Sequence, residues 1–106
     1  MKLRYSPQAR TDIKNVYEYI AIDLSSPSAA AKIVGEIIKK CSNLKDFPKL
    51  GMKLSDRTGR ETDLRYIVLG RYIAIYRIEK SFISIIRMLD VRMDYMHIIF
   101  ENETEK

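Results

Sequence analysis

An α+β fold is predicted by three features of this 106-residue sequence. Apolar residues recur at helical spacing only between Ala9 and Leu44. Runs rich in β-branched and aromatic residues occupy residues 64–89, separated by gaps of only two or three residues. Such gaps demand antiparallel hairpins. Helical and strand patterns are segregated, which places a helical layer on one face of an antiparallel sheet.

Lys2-Leu3-Arg4-Tyr5 alternates polar and apolar and reads as a short strand. Ser6 then supplies an N-cap and Pro7 the first helical residue, where a missing N–H costs nothing. Ala9, Ile13, Val16, Tyr17, Ile20 and Leu24 form one helical stripe. Ser26-Pro27 repeats the same start, and Ala30, Ile33, Val34, Ile37, Cys41 and Leu44 form a second stripe, closed by Pro48 and Gly51. The break at Leu24-Ser25 is too short for anything but an αα-hairpin. Gly35 within the second helix suggests a close helix approach, since glycine there otherwise costs about 1 kcal/mol. Lys49–Asp63 is polar and reads as a loop. Residues 64–69, 72–78 and 82–89 are three strands turning at Gly70-Arg71 and at Glu79-Lys80-Ser81. A short helix is expected over Tyr95–Phe100. Residues 1–100 thus read as a single domain, with 101–106 a mobile acidic tail.

Composition narrows the function classes. No apolar run approaches the roughly 18 residues of a membrane span, and the start has no apolar leader, so a cytoplasmic protein without membrane contact is expected. One cysteine and one histidine leave no thiolate-rich or His-pair metal site, so neither metal nor cofactor is expected. The net charge of +5 is uneven: residues 49–77 carry seven Lys/Arg against three Asp/Glu. A basic middle favours an anionic partner.

Catalytic signatures are sparse. The sequence has no phosphate-binding glycine loop and no H-E-x-x-H, and its carboxylates are scattered apart from Asp90 and Asp94. Those two read as a helix cap or as partners of Arg92. His97 reads as a packed or surface residue, Cys41 as core, and Tyr66, Tyr72 and Tyr76 as sheet packing. Arg87 stands out because it interrupts an apolar strand, where a charge requires a partner or an exposed face. It either pairs with Asp90, Asp94 or a helix carboxylate, or joins Arg65, Arg77 and Arg92 in a cationic patch on one side of the sheet.

The succession Tyr5-Ser6-Pro7 with Ala9, Tyr19-Ile20-Ala21, Ser26-Pro27 with Ala30-Ala31, Phe47-Pro48 with Gly51, Leu64-Arg65, Gly70 with Tyr72, Tyr76-Arg77 and Arg87 through Arg92-Met93-Asp94-Tyr95 resembles the RelE/ParE superfamily of toxins. These are the toxin halves of bacterial type II toxin–antitoxin modules, and the likeness covers residues 2–99. It implies an α+β toxin wrapped by a cognate antitoxin whose binding segment is disordered alone. An exposed second sheet face and the basic middle would receive that partner.

Activity in the superfamily divides. RelE-like members cleave mRNA on the translating ribosome without metal, using cations around the reacting phosphate and groups that move two protons. The resemblance places Arg65, Arg92 and Tyr95 at catalytic positions if this chain is a ribonuclease. Lys49 or Lys53 would then be the loop cation. Two departures oppose cleavage. The arginine expected after the tyrosine that opens the second meander strand is Ile73, and the late histidine and second arginine are Asp90 and Met93. The departures favour the ParE-like branch, whose members poison DNA gyrase. In that branch Lys49, Lys53, Arg65, Arg77, Arg87 and Arg92 are binding residues. The alternatives are mRNA cleavage, an attenuated toxin that only binds antitoxin, and a free-standing RNA-binding sheet.

Overall fold

The computed structural model describes residues 1–93 and 97–99. In chain order the elements are β1 (Lys2–Tyr5), α1 (Pro7–Glu18), a π-helical turn (Tyr19–Asp23), α2 (Pro27–Ser42), a 3-10 turn (Asn43–Lys45), β2 (Met52–Lys53), α3 (Leu54–Thr58), β3 (Arg65–Leu69), β4 (Tyr72–Ile78) and β5 (Phe82–Asp90). The strands form one mixed sheet in the order β1-β5-β4-β3-β2. The expected antiparallel meander is β3-β4-β5. To it β1 adds a parallel edge, Lys2 opposite Phe82 through Tyr5 opposite Ile85, while β2 adds two antiparallel residues beyond β3.

Ser6 turns the chain from β1 into α1. Its N–H donates to the Ile85 carbonyl (2.9 Å), and its hydroxyl donates to the Ile86 carbonyl (2.8 Å) and accepts from the Ala9 N–H (3.0 Å). The predicted cap is therefore also the last rung holding this edge of the sheet. α1 is shorter than its apolar stripe suggests. Its hydrogen bonding slips into the π turn at Tyr19, and Tyr17 and Leu24, read as inward, are exposed. Ser25 follows with φ +53°, the one non-glycine residue in the left-handed region among those described. Pro27 opens α2 as expected. The Ser26 side chain, however, makes no capping bond, and its carbonyl accepts the Ala30 N–H.

The helices cover one sheet face. Ala9, Val16, Ile20, Ala30, Ile37, Cys41 and Leu44 pack on Tyr72, Ala74, Tyr76, Ile83, Ile85 and Met88. Cys41 is fully buried, and that burial pushes its thiol up to about 11. Gly35 does not mediate a close approach, because a methyl added there meets nothing within 4 Å. The crowded glycine is Gly51, where a Cβ would lie 2.5 Å from the Tyr76 hydroxyl and 2.6 Å from the Tyr66 carbonyl oxygen. The Tyr76 hydroxyl accepts the Gly51 N–H and donates to the Pro48 carbonyl, both at 2.8 Å, and Arg65 Nη1 donates to the Gly51 carbonyl at 2.8 Å. Three hydrogen bonds thereby pin the 48–51 segment to β3 and β4.

The opposite sheet face is covered over β4, which corrects the expectation that it stands open for a partner, and only toward the β3 edge does Val68, the register partner of Ile73, stay exposed. Ile73 and Ile75 of β4 are buried, flanked within the sheet by Leu89 and Tyr66 and packed with Leu54, Leu64 and Ile99. Leu54 comes from the segment read as a loop. That segment contains β2 and the five-residue α3, which stops at Gly59 with φ +73°. Leu50, Met52 and Leu54 alternate over only five residues, and of the three only Leu54 is buried, where it anchors the helix. Residues 97–99 are helical, within the expected C-terminal helix. The rest of that helix and the tail 101–106 lie outside the described residues.

The two layers are joined by one carboxylate. Asp12 of α1 is buried and receives Arg87 Nε (2.8 Å), Arg87 Nη2 (3.0 Å) and the Met88 N–H (2.9 Å). β1 pairs with β5 only as far as Ile85, so Asp12 satisfies a strand N–H beyond the reach of β1. Arg87 thus has the helix partner that a charged residue in an apolar strand requires.

Asp12→Ala leaves a largely buried guanidinium and a strand N–H unpaired, and should cost about 3 kcal/mol in urea unfolding. Adding Arg87→Met should recover part of that loss. Gly51→Ala should cost about 1–3 kcal/mol through overpacking. Gly35→Ala should stabilise by up to about 1 kcal/mol through helix propensity, and thermal melts of the two alanine variants should therefore move in opposite directions.

Candidate functional site

Two depressions meet at the end of the sheet where β4 begins. One, of about 710 Å³, lies between α1 and the end of β5 and is lined by Asn15, Val16, Tyr19, Tyr72, Met88, Leu89, Asp90, Arg92 and Met93, with the Asp12–Arg87 pair. The other, of about 320 Å³, lies between α2 and the β3–β4 turn and is lined by Ile20, Leu24, Ala29, Ile33, Ile37, Leu69 and Tyr72, with Glu36 and Lys40. Tyr19 and Tyr72 border both, so the pair reads as one trough with a tyrosine divide.

Local backbone choices create this arrangement. The π turn carries Tyr19 at its start. Leu69 pairs with Tyr72 across a two-residue loop in which Gly70 has φ +67° and Arg71 is not left-handed, the pattern of a II′ turn. Arg71 therefore stands at the tip of the hairpin beside the end of β5. Its Nε donates to Asp90 Oδ2 (3.2 Å), and Arg92 Nε and Nη2 donate to Asp90 Oδ1 (3.1 Å) and Oδ2 (3.0 Å). A hydrogen bond with Tyr19, and then Asp90, raise the Arg71 pKa and hold its guanidinium charged. Burial raises the Tyr72 phenol and keeps it neutral. Two arginines share one carboxylate, so this rim is cationic around an apolar floor.

The residues singled out from the sequence are distributed rather than gathered. Arg87 and Arg92 line the same depression, each in an ion pair, with Asp12 and Asp90 respectively. Lys53 and Arg65 are register partners across β2 and β3, and Arg65 holds the Gly51 carbonyl. Arg77 donates to Asp63 (2.8 Å) and alternates with Ile73 and Ile75 on the face opposite the α1–α2 layer. Lys49 is exposed beside Phe47 and Leu50, near the other end of β4. The strand arginines therefore do not assemble into one patch on one side of the sheet. Tyr95 lies outside the described residues. Tyr19, Arg71 and Asp12 were not singled out. Asp12 was detectable, since it sits between Ala9 and Val16 on the apolar stripe, a buried negative charge complementary to the buried Arg87. Tyr19 entered only within the Tyr19-Ile20-Ala21 motif and Arg71 only as a turn residue, and the π turn and the hairpin bring the two together.

Among the described residues no cluster of three or more His, Cys, Asp or Glu is arranged to hold a metal ion, and no helix is long and apolar enough to cross a membrane. No curated protein matches the sequence. Among solved structures the chain is similar to one from the chromosomal ParDE TA system of P. aeruginosa, with a TM-score of 0.74 at 22% identity, covering 87% of this chain and 97% of that one. That likeness shows a shared fold. A family model described as the ParE toxin of the type II toxin–antitoxin system parDE matches residues 3–95. It runs from β1, through the helices that build the trough, past the Asp90–Arg92 rim, and on that span the chain belongs to the ParE toxin family of type II toxin–antitoxin systems.

Proposed function

We propose that this chain is a growth-inhibiting toxin that acts in the cytoplasm by binding DNA gyrase, with residues 1–100 as its single domain. A cognate antitoxin would neutralise it by laying an amphipathic segment in the trough at Tyr19. The observation that carries the reading is the burial of Ile73, 1% exposed in an apolar cluster with Leu54, Leu64 and Tyr66. An RNA-cleaving member would need an arginine at that position to meet phosphate. Here apolar packing occupies the place. Arg87 and Arg92 are likewise engaged by carboxylates, which lowers the positive field available to a pentavalent phosphate.

The trough suits a helical segment that folds on binding. Its floor offers Val16, Ile20, Leu69 and Met88, and its rim sets Arg71, Arg92 and Lys40 against Asp90 and Glu36, an excess of positive charge that suits acidic side chains. Tyr19, 40% exposed, presents a large flat surface with a polar tip, the side-chain type that most often dominates binding energy. In this reading Arg65 and Arg87 hold the frame, and Lys49 and Lys53 face the target.

Pulse labelling after tight induction in a bacterial host tests the target. Thymidine incorporation should fail within minutes, before methionine incorporation. Methionine failing first would restore mRNA cleavage, with Arg65, Arg92 and Tyr95 as its residues, and no effect on either would favour an attenuated toxin. Tyr19→Ala with Arg92→Glu should weaken antitoxin binding at least tenfold, about 1.4 kcal/mol, by calorimetry, without lowering the melting temperature.

A further inference from the structure

A second exposed apolar feature lies away from the trough. Met1, Phe47 and Leu50 are 49%, 64% and 57% exposed and, with Pro48, Lys49 and Ile78, surround a shallow depression of about 560 Å³. The trough borders Tyr72 and this patch borders Ile78, the two ends of β4. At roughly 3.3 Å per residue that separates them by about 20 Å. A partner seated at Tyr19 leaves the patch uncovered.

The patch is also rigid. Pro48 and Gly51, which flank Lys49 and Leu50, are held by the Tyr76 hydroxyl, and Arg65 holds the Gly51 carbonyl. The Met1 amino group donates to the Lys45 carbonyl at 3.0 Å. Large apolar groups fixed in water raise aggregation risk and contribute nothing to the core, whereas a preordered surface spares a binding partner the cost of ordering it. The charges lining it are uneven: Lys49 and the Met1 ammonium, which donates to the Lys45 carbonyl, stand beside Asp46. That imbalance calls for an occupant with an apolar centre and an acidic rim. Nucleic acid fits less well, because among the lining residues only Phe47 offers a π-face for base stacking.

We propose that the Met1–Phe47–Leu50 patch is the surface by which the toxin grips an acidic-rimmed apolar site on its protein target, separately from the antitoxin trough. The proposal rests on the reading of this chain as a toxin that binds a protein target. Two double variants test it, Phe47→Ser/Leu50→Ser and Lys45→Glu/Lys49→Glu, none of which touches Tyr76, Gly51 or the core. Binding to purified bacterial DNA gyrase and to a short DNA duplex would be measured beside growth arrest at matched expression.

Both variants should keep the wild-type melting temperature, bind gyrase at least tenfold more weakly, and lose growth arrest. The charge-reversal effect should shrink as salt rises. Gyrase affinity within twofold of wild type for Phe47→Ser/Leu50→Ser overturns the proposal, as does an equal loss of duplex affinity, which would make the patch a nucleic-acid surface. A wild-type dimer abolished by the same variant also overturns it. If the wild-type chain does not bind gyrase, that target assignment fails by itself and growth arrest decides: its loss in Phe47→Ser/Leu50→Ser supports the patch, and its retention overturns it.

Discussion

The Asp12 carboxylate is the point on which the two layers depend. Three donors from β5 converge on it from a guanidinium fork and a backbone N–H. An ion pair this buried gains little net stability over an apolar pair of the same shape, because desolvating both charges offsets their attraction. Its value lies in register. An apolar contact tolerates sliding along a helix, whereas a bidentate pair with a backbone N–H accepts one position only. α1 therefore meets β5 at a defined height. The height of α1 sets that of the π turn, and so where Tyr19 stands between the two depressions.

At the other end of β4 a different device does a comparable job. The Tyr76 hydroxyl sits in the core and serves two backbone groups of the 48–51 segment, and burial raises its pKa so that it stays a neutral donor and acceptor. Gly51 is required because its neighbours fill the place of a side chain. Two buried polar groups, Asp12 and Tyr76, thus secure the helices and the connecting loop onto one sheet. The trough and the apolar patch stand at the ends they secure.

Much of this was legible in the sequence. Ser6-Pro7 and Pro27 mark helix starts through chemistry that acts within one turn, and the meander follows from loops too short for other connections. The family was legible in the ordered series of motifs from Tyr5 to Tyr95. What escaped had nonlocal causes. The second core depends on Leu54, which the sequence does not distinguish from the exposed Leu50 and Met52 beside it, arriving over Ile73 and Ile75 from outside the strands. The π turn breaks a stripe that continues smoothly in sequence to Leu24. The sequence reads Gly35 as a helix contact and Gly51 as a helix stop, and only the packing of Tyr76 reveals that Gly51 is the crowded one.

The parallel pairing of β1 with β5 has a consequence for the timing of synthesis. The bonds from Ser6 to Ile86 and from Asp12 to Arg87 span 80 and 75 residues. The first strand and helix leave the ribosome without the strand that completes their edge. At roughly 5–20 residues per second, β5 follows them by about 4 to 15 seconds. Contacts this distant in sequence also close slowly. Until then neither the trough nor the pinned loop has its final shape, so each molecule spends the last seconds of its synthesis with Ser6 and Asp12 still without the strand that completes them.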